Sequence, residues 1–355
     1  MGLKMAGDLG GENGCRICGN QLGNRLHRAR EMFAGTRDAF TYDECAACGT
    51  IQLKDVPDLR PYYATDYYSF QPAIDKSTAQ HGFKKRLSVQ AGEFVRRRVA
   101  AYYCRRRASF GEYRHLIGRY LSKRMERVIV GFPEYLKDTH LDLHLTPRSP
   151  ILDVGSGAGL TLLALGHFGF DNLTGVDPFL EESINYDNGV RVLKGEMADL
   201  NQQFDLILAN HSIEHFPDPR GALKEMYRLL KPGHYAIIRT PVISQAWRQY
   251  GTNWVQLDPP RHLFLFKAQT LCALAEETGF SVREVSYDST AFQFWGSEQY
   301  ARDIPLVDER SYYVNPDKSP FSSEQLTDFA AQAAKLNRQG EGDQAVFYLY
   351  KDLRR

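Results

Sequence analysis

The run ILDVGSGAGL, Ile151–Leu160, constrains this chain most, because it ends an apolar strand in an acid and then sets glycine at alternate positions. Asp153, Gly155, Ser156, Gly157 and Gly159 predict a tight strand-to-helix turn lying against a ligand. Glycine tolerates positive φ in such a turn, and with no Cβ it lets a ligand approach the backbone. The apolar stretch Leu160–Leu165 then predicts a helix. A second apolar strand, Leu173–Val176, ends in Asp177, 24 residues after Asp153. An acid at that spacing, with Pro178 beside it, can accept from two ribose hydroxyls, so an adenosine-bearing ligand is expected. A dinucleotide would call for G-x-G-x-x-G with a pyrophosphate at the helix N-terminus. The pattern here is D-x-G-x-G-x-G.

Strand and helix patterns continue to alternate downstream. VRVLKGEMADL, Val190–Leu200, reads as a short strand and a loop carrying Gly195, Glu196 and Met197. FDLILAN, Phe204–Asn210, reads as a strand, followed by HSIEHFPDP and a helix over Arg220–Leu230 that Lys231, Pro232 and Gly233 stop. Tyr235–Thr240 is the next strand. Such β-α-β units predict a parallel sheet covered by helices on both faces. As an ordered set over roughly residues 150 to 290, these phrases resemble the class I S-adenosylmethionine-dependent methyltransferases. The resemblance implies an α/β fold with a doubly wound, mostly parallel seven-stranded Rossmann-like sheet, and S-adenosylmethionine as cofactor. It places Asp153 near the methionine end and Asp177 on the ribose. Glu196 takes the place of the usual aspartate at the adenine amino group, and Met197 packs on the adenine face. Gly155, Ser156, Gly157, Gly159, Pro178 and Asn210 complete the expected cofactor set.

A second pattern lies upstream. Cys15 and Cys18 form one C-x-x-C pair, Cys45 and Cys48 another, and glycine follows each pair directly. Four thiolates at this spacing predict a tetrahedral structural zinc site, with all ligands from protein and no open position for chemistry. Disulfides are the competing reading. Only Cys104 and Cys272 remain outside the cluster, and no secretory signal precedes it, so zinc is the expectation. Its role would be to fold a segment too short to bury its own core.

The expected organisation is a zinc-ribbon-like segment over 1–60, a Tyr-rich and basic helical connector over 61–145, and a cofactor-binding domain over 146–355. The last carries an insertion at about 289–342, in which Phe292, Phe294, Trp295 and Tyr300 form either an aromatic lid over substrate or a packed core against the sheet. A net charge of +1 gives no global electrostatic partner. With no apolar run near the ~20 residues that span a bilayer, a cytoplasmic enzyme without a transmembrane segment is expected.

The connector opens on PYYATDYYSF, and residues 81–138 then carry 15 Lys or Arg against 5 Asp or Glu. Apolar residues from Leu116 to Phe132 recur at helical spacing and predict a helix with one buried face. The basic excess reads as a solvated face, or as a surface for phosphate groups, an anionic membrane or nucleic acid. Nucleic acid is the less favoured partner, because Asn210-His211-Ser212-Ile213 stands where base amino-methyltransferases commonly end the fourth strand in Asn or Asp, two prolines and an aromatic. Over residues 15 to 70, paired C-x-x-C motifs followed by a Tyr-rich segment resemble sugar C-methyltransferases of nucleotide-linked deoxysugars and enzymes of related polysaccharide and natural-product pathways. Those enzymes usually carry a further full domain after the sheet, and the resemblance weakens at that point, so no such domain is expected here. After the fifth strand, WVQLDPPRHLFLF, Trp254–Phe266, with the helix Ala268–Thr278 and strand Ser281–Tyr287, resembles ubiquinone-biosynthesis-type O-methyltransferases instead.

Open parallel sheets bind ligands at the carboxyl ends of their strands. His211, Glu214 and His215 follow the fourth strand, and Arg261 and His262 follow the fifth. Methyl transfer to a hydroxyl or activated carbon needs a base, for which His215 is the first candidate and His262 the second. The alternative is that the Glu-His pair caps the next helix or braces the cofactor loop. Tyr67, Tyr68, Trp254 and Arg261 are the expected substrate contacts. The expected activity is methyl transfer to a saccharide, nucleotide- or lipid-linked, or to a related small metabolite. An RNA or protein methyltransferase recruiting through the ribbon and basic segment, and a cofactor-binding assembly factor without turnover, are the alternatives.

Overall fold

The computed structural model describes residues 14–63, 96, 103 and 132–353. Tyr67, Tyr68, the arginine runs at 97–98 and 105–107, and the expected helix from Leu116 onward lie outside the described residues. Two compact units organise the chain, each drawn from three separate stretches. One comprises residues up to 64, 211–223 and 239–347; the other comprises 65–210, 224–238 and 348 onward.

The first unit contains an antiparallel sheet of β1 (Arg25–Arg30), β2 (Ala39–Glu44), β3 (Ile51–Leu53) and β10 (Phe264–Leu265), in that order. The three residues of β3 are all buried, as is Tyr42 on β2. A three-residue strand supplies little pairing, and the fourth strand comes from far along the sequence. The unit also holds the helices Gln245–Tyr250, Ala268–Glu277, Phe292–Ala301 and Ser323–Gln339. The last is closed at both ends by local chemistry. Ser322 Oγ accepts from Gln325 N at 3.2 Å while Gln325 Oε1 accepts from Ser322 N at 2.9 Å, and Gly340 ends the helix at φ 71°.

The aromatic insertion is therefore largely helical. Phe294 stacks on Phe329 with ring centroids 5.5 Å apart, and Tyr300 joins Met32, Val255 and Leu306 in a buried cluster. Of the two readings of the insertion, packing holds for these two rings; their burial at 2% leaves no face for a substrate.

The second unit is built on β4 (Ile151–Val154), β5 (Leu173–Asp177), β7 (Arg191–Lys194) and β8 (Phe204–Asn210), with β4 parallel to both β5 and β8, and β5 parallel to β7. β4 and β5 are buried along their whole length, as apolar runs under helices on both faces require. The complete sheet has the order β11-β12-β9-β8-β4-β5-β7-β6, where β6 is Ile184–Asn185, β9 Leu230–Pro241, β11 Ser281–Tyr287 and β12 Gln344–Tyr350. The eighth strand, beyond the seven expected, is the two-residue β6, antiparallel to β7. The helix Pro219–Leu229 ends just before Lys231-Pro232-Gly233, as expected, but the next strand starts earlier than Tyr235: β9 begins at Leu230, and Gly233, at φ 83°, donates to Lys351 O at 2.7 Å. Among the described residues no helix is long and apolar enough to cross a membrane.

Candidate cofactor cradle, histidine cluster and metal centre

In the second unit, the glycine turn takes the conformation its sequence demands. Gly155, Gly157 and Gly159 have φ of 68°, 51° and 83°. A Cβ on Gly159 would stand 2.7 Å from Val192 Cγ2, so both backbone angle and space exclude a side chain there. Asp177, at the end of β5, accepts from Gly157 N through Oδ2 and from Phe179 N through Oδ1, each at 2.9 Å. Each oxygen retains a lone pair for a hydroxyl donor. Burial raises the pKa of Asp177, against the pull of those two N–H groups. Asp153 is buried at 3%, and burial together with the neighbouring Asp177 charge pushes its pKa up to about 8.

The remaining cofactor candidates surround this turn in sequence with mixed exposure. Met197 is buried and Glu196 exposed, with the Glu196 N–H given to Asp199 Oδ2 at 2.9 Å. Ser156 and Asn210 are half-buried and Pro178 is exposed. Two residues outside the expected set belong with them. Tyr186 donates its hydroxyl to Ala158 O at 2.6 Å and braces the turn. Phe179, two residues after Asp177, leaves 55% of its surface exposed. An aromatic directly after the Asp-Pro that closes the strand was the available signal.

In the first unit, His211, Glu214, His215 and His262 come together. Glu214 is fully buried, and its Oε2 accepts from Thr240 Oγ1 at 2.9 Å. Its Oε1 lies 3.4 Å from His211 Nδ1 and 4.0 Å from His262 Nε2. His211 holds φ at 50° and receives Arg239 Nη1 on Nε2 at 2.8 Å, while Arg239 Nε donates to Asp288 Oδ2 at 2.6 Å. His215 Nδ1 is 2.8 Å from Arg261 O and 3.2 Å from the Tyr63 hydroxyl. A carbonyl only accepts, so Nδ1 carries the proton and Nε2 keeps its lone pair. His262 is fixed in the same tautomer by Gln256 O, 2.7 Å from Nδ1. The two imidazoles meet edge to face with centroids 4.8 Å apart.

Electrostatics set the protonation of two members of this cluster, Glu214 and His215. Burial and the neighbouring His262 lower His215 to about 4, outweighing Glu214, which works to raise it. Burial works to raise Glu214 also, but His211, His215 and His262 outweigh it and hold the carboxyl at about 2. At neutral pH the cluster is thus a carboxylate beside a neutral His215.

Two expected substrate contacts are structural instead. Trp254 is fully buried and gives its indole N–H to Asp343 Oδ2 at 2.9 Å, so no edge of it is open to a substrate. Arg261 is 2% exposed, clamps Asp258 and lies 3.8 Å over the Phe33 ring, while its carbonyl orients His215. Tyr63, from the edge of the tyrosine cluster, reaches the histidines.

The four cysteines converge in the same unit. Sγ atoms of Cys15 and Cys48 are 3.6 Å apart, those of Cys18 and Cys45 are 3.5 Å apart, and all four lie within 4.8 Å of one another. Tetrahedral Zn–S bonds of ~2.3 Å set sulfurs ~3.8 Å apart, so the donor set fits zinc. The two knuckles repeat one another. Gly19 N donates to Cys15 O and Gly49 N to Cys45 O, at 2.8 and 2.9 Å, with the glycines at φ 76° and 72°. The hydrogen bond from Cys15 draws the Cys48 thiol down to about 4, a thiolate ready for a cation.

Residues 111–285 match the family model described as a methyltransferase domain. The sheet and the glycine turn have the class I methyltransferase fold within that matched stretch. The chain is similar to 2-methyl-6-phytyl-1,4-hydroquinone methyltransferase 1, chloroplastic, of Oryza sativa subsp. japonica, 34% identical over 116 residues that cover 30% of this chain and 35% of that protein. It is also similar to the ubiquinone biosynthesis O-methyltransferase of Pseudomonas fluorescens, 25% identical over 155 residues covering 38% and 66%. The chain thus spans between a third and two thirds of these relatives' length. Among solved structures it resembles a SAM-dependent methyltransferase of Thermotoga maritima, with 22% identity, a TM-score of 0.35, and coverage of 67% of this chain and 99% of that one.

Proposed function

We propose that the protein transfers a methyl group from S-adenosylmethionine to a small-molecule acceptor: a saccharide, free or linked to a nucleotide or lipid, or a related small metabolite. The observation that carries the cofactor reading is the Asp177 carboxylate anchored on Gly157 N–H, with a lone pair left on each oxygen. When bound, S-adenosylmethionine supplies an electrophilic methyl on a sulfonium. Asp177 would hold the ribose, Met197 and Phe179 the adenine faces, and Glu196 its amino group. Gly155, Ser156, Gly157, Gly159, Pro178 and Asn210 shape the cradle. Asp153 would meet the cationic methionine end, where a positive ligand favours its ionised form.

His215 would take the acceptor proton on Nε2, with Arg261 O and Tyr63 orienting the ring and Glu214 stabilising the imidazolium that forms. His262 is the second candidate for that role. Polar side chains gathered at His211, Arg239 and Asp288 suit an acceptor rich in hydroxyls. The relatives' names, a hydroquinone and a ubiquinone-pathway enzyme, support a small-molecule acceptor in general.

Calorimetric titration with S-adenosylmethionine and S-adenosylhomocysteine tests the first half; tight binding of NAD with no response to either would overturn it. Mass spectrometry of candidate acceptors incubated with labelled cofactor tests the second. Methylation of RNA or protein, and of no small molecule, would replace the saccharide reading.

A further inference from the structure

We infer that the four-cysteine ribbon is a positioning element for the histidine cluster, with Tyr42 and Leu53 as the residues that hold it. This rests on the catalytic reading of His215 and His262 given above. The structural basis is three consecutive carbonyls. Arg261 O takes His215 Nδ1–H at 2.8 Å, His262 O takes the Tyr42 hydroxyl at 2.9 Å, and Leu263 O takes Leu53 N–H at 2.9 Å. One of the three is used by the cluster itself, and the other two are used by ribbon strands β2 and β3. The N–H of Leu263 in turn donates to Glu214 O at 2.8 Å. A single short segment, 261–263, is therefore tied to the ribbon on one side and to the Glu-His turn on the other.

The knuckles are tied into the same frame. Thr270 Oγ1 donates to Cys48 O at 2.8 Å and Arg220 Nη2 to Ile17 O at 2.9 Å. Arg16 lies 4.3 Å over the Phe264 ring, in the strand β10 that pairs with β3. Tyr42 is fully buried, so losing its hydroxyl would leave the His262 carbonyl without that donor in a buried setting. The ribbon's strands are short, so the thiolate cluster fixes their register. Loss of the metal would release β2 and β3 and with them residues 261–263, misplacing both imidazoles.

The test uses the full chain with 15N-labelled imidazoles. Zinc is removed with a chelator and then restored, and Tyr42→Phe is examined as metal-loaded protein. Metal removal should shift the His215 and His262 ring resonances and lower kcat at least about tenfold, with S-adenosylhomocysteine affinity held within about twofold. Restored zinc should reverse both changes. Tyr42→Phe should lower kcat about three- to tenfold, the rate equivalent of one lost hydrogen bond, and shift the same resonances with KM for cofactor unchanged. Ring resonances that stay in place on metal removal and in Tyr42→Phe would overturn the inference. That readout needs no turnover, so it stands apart from any failure to find an acceptor.

Discussion

The cofactor cradle and the histidine cluster are assembled in opposite ways. In the cradle, Asp153, the glycine turn, Asp177, Phe179 and Tyr186 fall within 34 residues of one another. In the cluster, the bonds to the two imidazoles, to Glu214 and to the carbonyls of 262 and 263 come from positions 42, 53, 63, 240, 256 and 261. A site made of one β-α-β unit is specified by local pattern. A site assembled from positions scattered along the chain depends on tertiary packing, and its parts fail together.

That contrast is sharpest in the histidine variants. His215→Ala should depress kcat by about a hundredfold or more if it is the base, with cofactor binding nearly unchanged. His262→Ala distinguishes the runner-up by the same measurement. Full turnover in both variants would remove the histidines from the chemistry. Asp177→Ala should act on the other region, weakening S-adenosylmethionine and S-adenosylhomocysteine alike by about 1 to 3 kcal/mol in a calorimetric titration. An equal loss of kcat at saturating cofactor would show that the two regions are not separable in this way.

Acid and base should also separate them. Asp153 has a raised pKa, so the folded state holds a proton the unfolded chain has lost, and stability falls as pH rises from about 4 to about 8. His215 has a lowered pKa, so the unfolded chain holds the extra proton, and stability falls as pH drops from about 6.5 toward about 4. Denaturant titrations across this range should show Asp153→Asn flattening the alkaline slope and His215→Gln the acidic one. Slopes that neither variant alters would contradict these assignments. Thr240→Val removes a hydroxyl that donates to the buried Glu214 and should cost about 1 to 3 kcal/mol of stability in the same titration.

The cradle was legible because its chemistry is written in backbone requirements. Alternate glycines, a strand ending in acid and a spacing of 24 residues leave few other folds. Phe179 escaped because exposure is not visible in a string of letters. The cluster was legible only in part. His211, Glu214, His215 and His262 stand out as polar residues after strands, but Tyr63 and Tyr42 gain their roles from contacts across roughly 150 to 220 residues. Trp254 and Arg261 misled for a related reason. A large aromatic and an arginine near a predicted site read as substrate contacts, while their burial and their partners Asp343 and Asp258 make them supports. The insertion shows the same ambiguity, since aromatics at helical spacing serve a lid or a core equally well until neighbours such as Phe329 are known.

The ribbon's borrowed fourth strand has a consequence for how the protein is made. β3 leaves the ribosome roughly two hundred residues before Phe264–Leu265, the strand that pairs with it. At synthesis rates of about 5–20 residues per second, its outer edge stays open for about 10 to 40 seconds. An open edge is a template for pairing with other chains. Only three residues long, β3 offers little for a stranger to grip, and zinc captured during that interval would hold the nascent ribbon in register until its partner strand arrives.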